Sequence, residues 1–224
     1  MCGRFAATAS IDEIATQFAL VGVPERELNQ SWNIAPTTDI YVIVEQRLEI
    51  MKWGLIPTWA KSGFTGANTI NARSESVHEK PSFKSAFRAR RCLIPATGYF
   101  EWATELGQYP SKQPFFIQRK DKKQLAMAGI YENGTTAIIT KEAEGFLAGI
   151  HHRMPLFLPR DDWERWLDPK INDELGARDL INNGLSPESA GLIAHPVSNQ
   201  VNFVRNNSAS LLVEIPLGEA QTLL

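Results

Sequence analysis

The sequence has little cysteine, no long apolar run and no excess of charge of one sign. Its two cysteines, Cys2 and Cys92, cannot build a framework of several disulfides, and so few thiols are typical of a reducing compartment. No apolar run approaches the ~18 residues of a membrane-spanning helix, so we expect no transmembrane segment. No basic stretch followed by an apolar one opens the chain, so we expect no signal peptide. With 43% hydrophobic and 21% charged residues, the composition indicates a soluble, cytoplasmic globular protein.

Residue combinations typical of metal sites are also missing. The four histidines and two cysteines form no His-x-x-His or Cys-x-x-Cys pair, and no spaced cluster of carboxylates accompanies them. Two adjacent histidines, His151 and His152, diverge when they extend from one backbone and make a poor metal motif. We therefore expect no bound metal and no cofactor.

Charge argues against one class of nucleic-acid-binding protein. The 23 Lys and Arg residues against 25 Asp and Glu residues give a formal net charge of −2. This argues against nucleic-acid binding through bulk positive charge but not against a local basic groove. Arg88, Arg90 and Arg91, together with Arg4 and Lys61, are candidates for such a groove, and an ordinary solvated charged face is the alternative.

Local patterns predict one α+β domain, with a curved, mostly antiparallel, barrel-like sheet and peripheral helices. The Ser-x-x-Glu sequence from Ser10 to Glu13 is a capping box, and the apolar spacing after it predicts a helix over 11–20. Asn133-Gly134 predicts a tight hairpin turn. We place the domain at residues 2–212 and a C-terminal tail at 213–224. Strands are predicted over 41–44, 48–53, 93–102, 113–118, 125–131, 135–140 and 193–197, with a loop containing Gly107 after 102, and helices over 159–167, 171–181 and parts of 73–90, where Pro81 suits a first turn.

Cys2 is the first candidate for chemistry, because removal of Met1 makes it the N-terminal residue. It then carries an α-amine, whose pKa is about 7.7–8.0, beside a thiol, whose pKa is about 8.5. Such an aminothiol can attack an acyl group through sulfur. It can also condense with an aldehyde, first as a Schiff base and then as a five-membered thiazolidine ring. The alternative is a small buried residue at the start of a strand.

Glu101 and His151 are the candidates for proton transfer. Glu101 lies in the aromatic sequence from Gly98 to Trp102, where a carboxylate that faces a cleft would have a raised pKa. His151 offers an acid–base imidazole beside Arg153. The alternatives are an outward-facing glutamate and a structural histidine.

Asn71, Arg73 and Trp59 are candidates for binding a nucleic acid. Asn71 can orient a hydroxyl or carbonyl group, and Arg73 can form paired hydrogen bonds with a phosphate. An exposed Trp59 can stack on an unpaired base, whereas we expect Trp53 to anchor the core. A helix cap, a surface arginine and a second core tryptophan are the alternatives.

Taken together, the ordered motifs resemble one family, the SOS-response-associated peptidase (SRAP) family of abasic-site processing proteins. The resemblance extends from residue 2 to about 212, and its specificity lies in the order of many short motifs. These are Met1 to Phe5, Asn33 to Pro36, Trp53 to Leu55 with Pro57 and Trp59, Asn71 to Arg73 with Glu75, Arg91-Cys92 to Pro95, Gly98 to Trp102, Pro114 to Phe116, Thr140, His151 to Pro155 and His195 to Ser198.

The resemblance implies a single β-rich domain with a groove for single-stranded DNA, and a covalent bond between Cys2 and an abasic site. It implies that Glu101 positions the amine and moves protons, and that His151 acts on the sugar ring oxygen. Asn71 would hold the sugar or an adjacent phosphate together with Cys2. The implied DNA-binding set is Arg4, Arg73, Pro36, Trp59, Thr140 and Arg153, of which the first two would bind flanking phosphates.

Further properties follow only from the resemblance. The expected partner is single-stranded DNA that contains abasic sites, bound by a monomer that is cytoplasmic and associated with the nucleoid when on DNA. The sequence identifies no replication-fork partner. The Schiff base also implies a lyase side activity, and the family name implies removal of Met1, by the chain itself or by methionine aminopeptidase.

Two other classes of function remain open. An N-terminal-nucleophile glutamine amidohydrolase also begins Met-Cys-Gly, but those domains continue with Ile where this chain has Arg4. A non-catalytic single-strand-binding module would bind DNA without a covalent product. Assays of glutamine hydrolysis and denaturing gels distinguish these classes.

Overall fold

Two β-sheets flanked by short helices form a single α+β domain, in a computed structural model that describes residues 2–104 and 109–217. The strands are β1 (Arg4–Ala7), β2 (Ser31–Ile34), β3 (Asp39–Val44), β4 (Arg47–Trp53), β5 (Asn71–Arg73), β6 (Arg91–Ala96), β7 (Gly98–Trp102), β8 (Pro114–Arg119), β9 (Leu125–Glu132), β10 (Thr135–Glu142), β11 (Arg153–Pro155) and β12 (Leu192–Pro196). The helices are α1 (Ile11–Phe18), α2 (Lys84–Ala89), α3 (Trp163–Leu167) and α4 (Glu174–Asn182). The predicted α+β class is confirmed.

The five-stranded sheet has the order β12-β8-β7-β1-β2 and is antiparallel throughout. The seven-stranded sheet has the order β11-β10-β4-β3-β6-β9, with β5 beside β10 and a further pairing between β10 and β9. In it β10 runs parallel to β4 and β5. The pairing of β10 with β4 covers two residue pairs and that of β3 with β6 only one, so this sheet is not a closed barrel. The predicted barrel-like core is thus a pair of sheets.

Locally encoded elements follow the sequence closely. At α1 the Ser10 side chain accepts from the Glu13 backbone N–H and the Glu13 carboxylate accepts from the Ser10 N–H, which completes the capping box. The helix ends at Phe18 rather than at residue 20, because Ala19 adopts a left-handed conformation with φ of 54°. The hairpin between β9 and β10 turns at Asn133 and Gly134, whose φ angles of 49° and 67° suit this turn.

Several boundaries differ from the prediction. The polar stretch 73–90 contains one short helix, α2, as predicted, but Pro81 lies in the preceding turn instead of a first helical turn. The predicted strand 93–102 is two strands that belong to different sheets, divided at Thr97. Strand β2 was not predicted. The loop around Gly107 and residues 218–224 of the tail lie outside the described residues.

The apolar interior lies on both faces of the seven-stranded sheet and against the five-stranded one. Trp53 is fully buried, as predicted, and its indole N–H donates to the Ile70 carbonyl at 3.0 Å. Trp166 is also fully buried and donates to the Cys92 carbonyl. No helix in the two described ranges is long and apolar enough to cross a membrane.

Arg91 was a candidate for a basic groove, and this prediction is wrong because Arg91 is a core residue. It is only 2% exposed. Its guanidinium donates to four backbone carbonyls, those of Phe87, Arg88, Trp166 and Asp168. These bonds satisfy the buried charge group and tie α2 to α3.

Candidate active site

Cys2 leads into β1, and the pairing of that strand determines its surroundings. Arg4 lies opposite Phe100 in the antiparallel pair of β1 with β7, so the chain before Arg4 runs toward Glu101 and Trp102. Cys2 is fully buried. Burial raises the pKa of its thiol well above the ordinary value, and the charge of Glu101 raises it further. The thiol therefore needs a base before it can act as a nucleophile.

Glu101 lies in β7 between Phe100 and Trp102 and is only 3% exposed. The alternative of an outward-facing glutamate is wrong. Burial raises the pKa of its carboxyl group to about 7, because a carboxylate loses hydration in an apolar environment. A group with this pKa exchanges protons readily near neutrality, as general acid–base catalysis requires.

His151 lies beside Glu101, with 3.9 Å between its Nδ1 atom and Glu101 Oε2. Burial lowers the pKa of His151 to about 4, so the imidazole is neutral at neutral pH and the pair is not a salt bridge. The backbone N–H of Arg153 donates to Nδ1 at 3.0 Å. With Nδ1 as acceptor, the ring proton lies on Nε2, which can donate a hydrogen bond.

Asn71 connects the seven-stranded sheet to the N-terminal segment. It begins β5, and its Nδ2 group donates to the Cys2 carbonyl at 2.9 Å. Its Oδ1 atom is buried and has no hydrogen-bond partner in residues 2–104 and 109–217. A buried amide oxygen without a partner is costly, so this atom is well suited to accept a hydrogen bond from a ligand.

Arg153 and Thr140, both predicted to contact DNA, form an internal clamp. Arg153 is 8% exposed, and its two terminal nitrogens donate to the Glu75 carboxylate at 2.6 and 2.9 Å. One of them also donates to the Thr140 carbonyl at 2.6 Å, and Thr140 is fully buried. The clamp joins β11, β10 and the segment after β5, and it positions the backbone N–H that holds His151.

The two arginines assigned to flanking phosphates differ in their surroundings. Arg4 donates through Nη1 to Asn33 Oδ1 at 2.8 Å and to the Val201 carbonyl at 2.9 Å, so part of its guanidinium serves the fold. Arg73 is exposed at the end of β5 and has no ion pair within the described part of the chain. The nearby Glu75 carboxylate pairs with Arg153 and not with Arg73.

The two candidates for base stacking lie at the surface. Trp59 is 58% exposed, donates through its indole N–H to the Pro81 carbonyl at 3.2 Å and packs edge-on against Phe64. Pro36 is half-buried, just after β2. The exposed face of Trp59 is available for stacking.

Sequence reasoning missed Tyr99 and Asn33. Tyr99 is 1% exposed, and burial raises the pKa of its phenol, with further contributions from the nearby Cys2 and Glu101. Asn33 holds Arg4 and donates through Nδ2 to the carbonyls of Val201, Phe203 and Asn206. The signal for both lay in motifs already singled out, since Tyr99 adjoins Phe100 in β7 and Asn33 opens the Asn-Ile-Ala-Pro sequence.

A family model, two named relatives and one solved structure each match most of this chain. A family model described as SOS response associated peptidase (SRAP) matches residues 1–204. Abasic site processing protein YoaM of Bacillus subtilis (strain 168) is 37% identical over 227 residues, covering 95% of this chain and 97% of that protein. Abasic site processing protein YedK of Escherichia coli (strain K12) is 31% identical over 230 residues, covering 95% and 99%. A solved structure from Bacteroides thetaiotaomicron superposes with a TM-score of 0.81 at 25% identity, over 96% of this chain and 100% of the other.

Proposed function

Because this chain belongs to the SOS response associated peptidase (SRAP) family, we propose that it processes abasic sites by bonding Cys2 covalently to the exposed sugar. The relatives named abasic site processing proteins support the general function. The observation that carries the finer proposal is the grouping of Cys2, Asn71, Glu101 and His151. Asn71 bonds the Cys2 carbonyl, and Glu101 lies 3.9 Å from His151 with a pKa of about 7.

The first step opens the sugar and forms an imine. An abasic deoxyribose interconverts between a closed hemiacetal and an open aldehyde. The Nε2–H of neutral His151 donates to the ring oxygen and favours the open form. After Met1 is removed, the Cys2 α-amine attacks the aldehyde carbon, and one water molecule leaves as the C=N bond forms.

The second step closes the thiazolidine ring. The Cys2 sulfur adds to the imine carbon, the C–S bond forms, and the electron pair of the C=N bond takes up a proton at nitrogen. Glu101 accepts the proton of the high-pKa thiol and returns a proton to nitrogen, which a group with a pKa of about 7 can do in both directions. The net change is loss of one water molecule from aldehyde plus aminothiol.

Binding of single-stranded DNA relies on few groups. Exposed Arg73 bonds a phosphate next to the abasic site, and the buried Oδ1 of Asn71 accepts a hydrogen bond from the opened sugar. Trp59 and Pro36 stack beside the bases. The imine intermediate also permits β-elimination, which would appear as a slow strand-cleavage activity. The proposal requires that Met1 is removed, either by the chain itself or by methionine aminopeptidase.

The test mixes the mature protein with a single-stranded oligonucleotide that carries one abasic site, without reductant. We expect an adduct that survives a denaturing gel and whose intact mass equals protein plus DNA minus one water molecule. Cys2→Ala should bind the DNA and form no stable adduct, because an amine alone gives only a reversible imine. A chain verified by mass to retain Met1 should also fail, because its Cys2 nitrogen is an amide.

The outcomes separate the alternatives. A stable adduct with Cys2→Ala contradicts the thiazolidine. Binding without any adduct in the wild-type protein indicates a binding module, and glutamine hydrolysis that depends on Cys2 indicates an amidohydrolase.

A further inference from the structure

A basic depression lies against α2, outside the group of residues around Cys2. It is open to solvent, has a volume of about 670 Å³, and its lining includes His78, Glu79, Lys84, Ser85, Arg88 and Arg90. We call it the α2 depression. Three of its lining residues are cationic, and one acid, Glu79, lies among them. No step proposed for the chemistry at Cys2 uses any of these side chains.

The positive charge of the α2 depression is only partly neutralised. Lys84 and Arg88 lie one helical turn apart on the same face of α2, an arrangement of like charges that destabilises a helix. Neither forms an ion pair within the described ranges, and Arg88 donates only through Nε, to the Asn172 carbonyl at 3.3 Å. Arg90 does pair, with the buried carboxylate of Glu132 at 3.1 Å. An anion between Lys84 and Arg88 would relieve their repulsion.

Buried polar atoms at the α2 depression also lack partners. The His78 side chain is 7% exposed, with Nε2 3.3 Å from the Glu79 carboxylate. Its Nδ1 atom, like Nε of Arg90, is buried without a hydrogen-bond partner among the described residues. Because buried polar atoms without partners are rare and costly, their grouping beside unneutralised cations points to a ligand.

We propose that the α2 depression is a second site that binds phosphate groups. The terminal nitrogens of Arg88 can donate in parallel to two phosphate oxygens, Lys84 supplies a compact charge, and the Ser85 hydroxyl can donate a further hydrogen bond. The volume exceeds what one phosphate needs, so a phosphate that is part of a larger molecule fits. That phosphate belongs either to the backbone of DNA or to a small phosphorylated molecule.

Chain connectivity favours DNA, and in that form the inference rests on the proposed function. The segment that leaves β5 at Arg73 leads directly to α2, so one stretch of chain runs from the proposed active site to the α2 depression. Trp59 contacts this stretch through the Pro81 carbonyl. A strand that passes Arg73 and Trp59 would therefore continue toward Lys84 and Arg88.

The test compares the double variant Lys84→Gln/Arg88→Gln with Lys122→Gln/Lys123→Gln, which removes two exposed cations elsewhere. Affinity for a single-stranded oligonucleotide without an abasic site is measured at several salt concentrations. Each phosphate contact contributes about 0.7 to the slope of log affinity against log salt, so the α2 variant should lose about 1.4 and the control nothing. Melting temperatures verify that both variants fold.

A second measurement identifies the source of the phosphate. Inorganic phosphate is titrated into each protein while NMR follows the Arg88 guanidinium in the wild type and the control, and the His78 ring in all three. One outcome would assign the site to small phosphorylated molecules. In it, phosphate causes saturable shifts in the wild type and the control but not in the α2 variant, and the salt slope of DNA binding by the α2 variant equals that of the wild type. An unchanged slope with no saturable shift would overturn the site.

The two proposals fail independently. If the wild-type protein forms no adduct with abasic DNA, the proposed function fails, yet the phosphate titration still tests the α2 depression. If the α2 variant forms adduct fully at low salt but keeps the wild-type slope and phosphate response, only the α2 depression is refuted.

Discussion

Ionisation of Glu101 should alter the free energy of unfolding near neutral pH. Its folded-state pKa of about 7 lies above the value of about 4.3 in an unfolded chain. The folded state therefore keeps a proton that the unfolded state releases, and the contribution of Glu101 to stability should fall as the pH rises from about 4.3 to about 7, whereas the lowered pKa of His151 makes its own contribution rise over much of the same range. We expect Glu101→Gln to remove this fall and, at pH 8, to be more stable than the wild type by on the order of 3 kcal/mol.

Thermal unfolding from pH 4.5 to pH 8 measures this difference. The exposed Glu142 provides the control, since Glu142→Gln should follow the wild-type profile. A gap between Glu101→Gln and the wild type that does not change with pH would contradict a raised pKa for Glu101. The same variant should form adduct slowly at every pH, because an amide cannot transfer the proton.

Substitution of Arg73 should weaken DNA binding, whereas substitution of Arg153 should lower the free energy of unfolding. Arg73 is exposed and unpaired within the described ranges, so Arg73→Ala should flatten the salt slope of DNA binding by about 0.7 and leave the melting temperature unchanged. Arg153 is buried and bonded to Glu75 and Thr140, so Arg153→Ala should lower stability by about 2 kcal/mol. Salt titrations and melting curves of both variants check this. An unchanged slope for Arg73→Ala would remove Arg73 from the DNA site.

Among the elements, strands β7 and β8 pack so closely at Gly98 that no side chain fits at this position. A Cβ atom there would overlap the Phe116 ring and lie 2.6 Å from the Ile117 carbonyl oxygen. Because β7 carries Glu101, Gly98→Ala should lower both stability, by about 1–3 kcal/mol, and the rate of adduct formation. Gly149→Ala is the matched control, since no residue in 2–104 and 109–217 other than its chain neighbours lies within 4 Å of a Cβ atom at that position. Equal melting temperatures for the two variants would contradict this account.

At the scale of the whole molecule, the C-terminal segment closes the five-stranded sheet. Val201 and Leu211 pack with Ala6, Phe100 and Phe116, the strand residues next to the proposed active site. We expect a chain that ends at Ser198 to lose cooperative unfolding and adduct formation. A chain that ends at Leu212 should keep both, as a domain boundary at 212 requires. Calorimetry and adduct assays of the two truncated chains test this prediction. Equally cooperative unfolding of both chains would contradict the packing role of this segment.

Features that depend on a few neighbouring residues were predictable from the amino-acid sequence. The capping box of α1 and the Asn133-Gly134 turn were predictable because their hydrogen bonds and backbone angles are local. The ordered motifs predicted the family, which the comparisons confirm. The roles assigned to individual site residues stay predictions.

Contacts between polar groups that are distant in the sequence were not predictable in this way. Glu75 and Arg153 are 78 residues apart and form a bidentate pair, and Arg4 bonds a carbonyl 197 residues away. Arg91, expected at a basic surface, is enclosed by carbonyls from α2 and α3. Residue type specifies charge and hydrogen-bonding capacity, whereas burial and partners depend on how distant segments pack. Packing likewise raises the pKa of Glu101 and lowers that of His151, because loss of hydration disfavours the charged form of each.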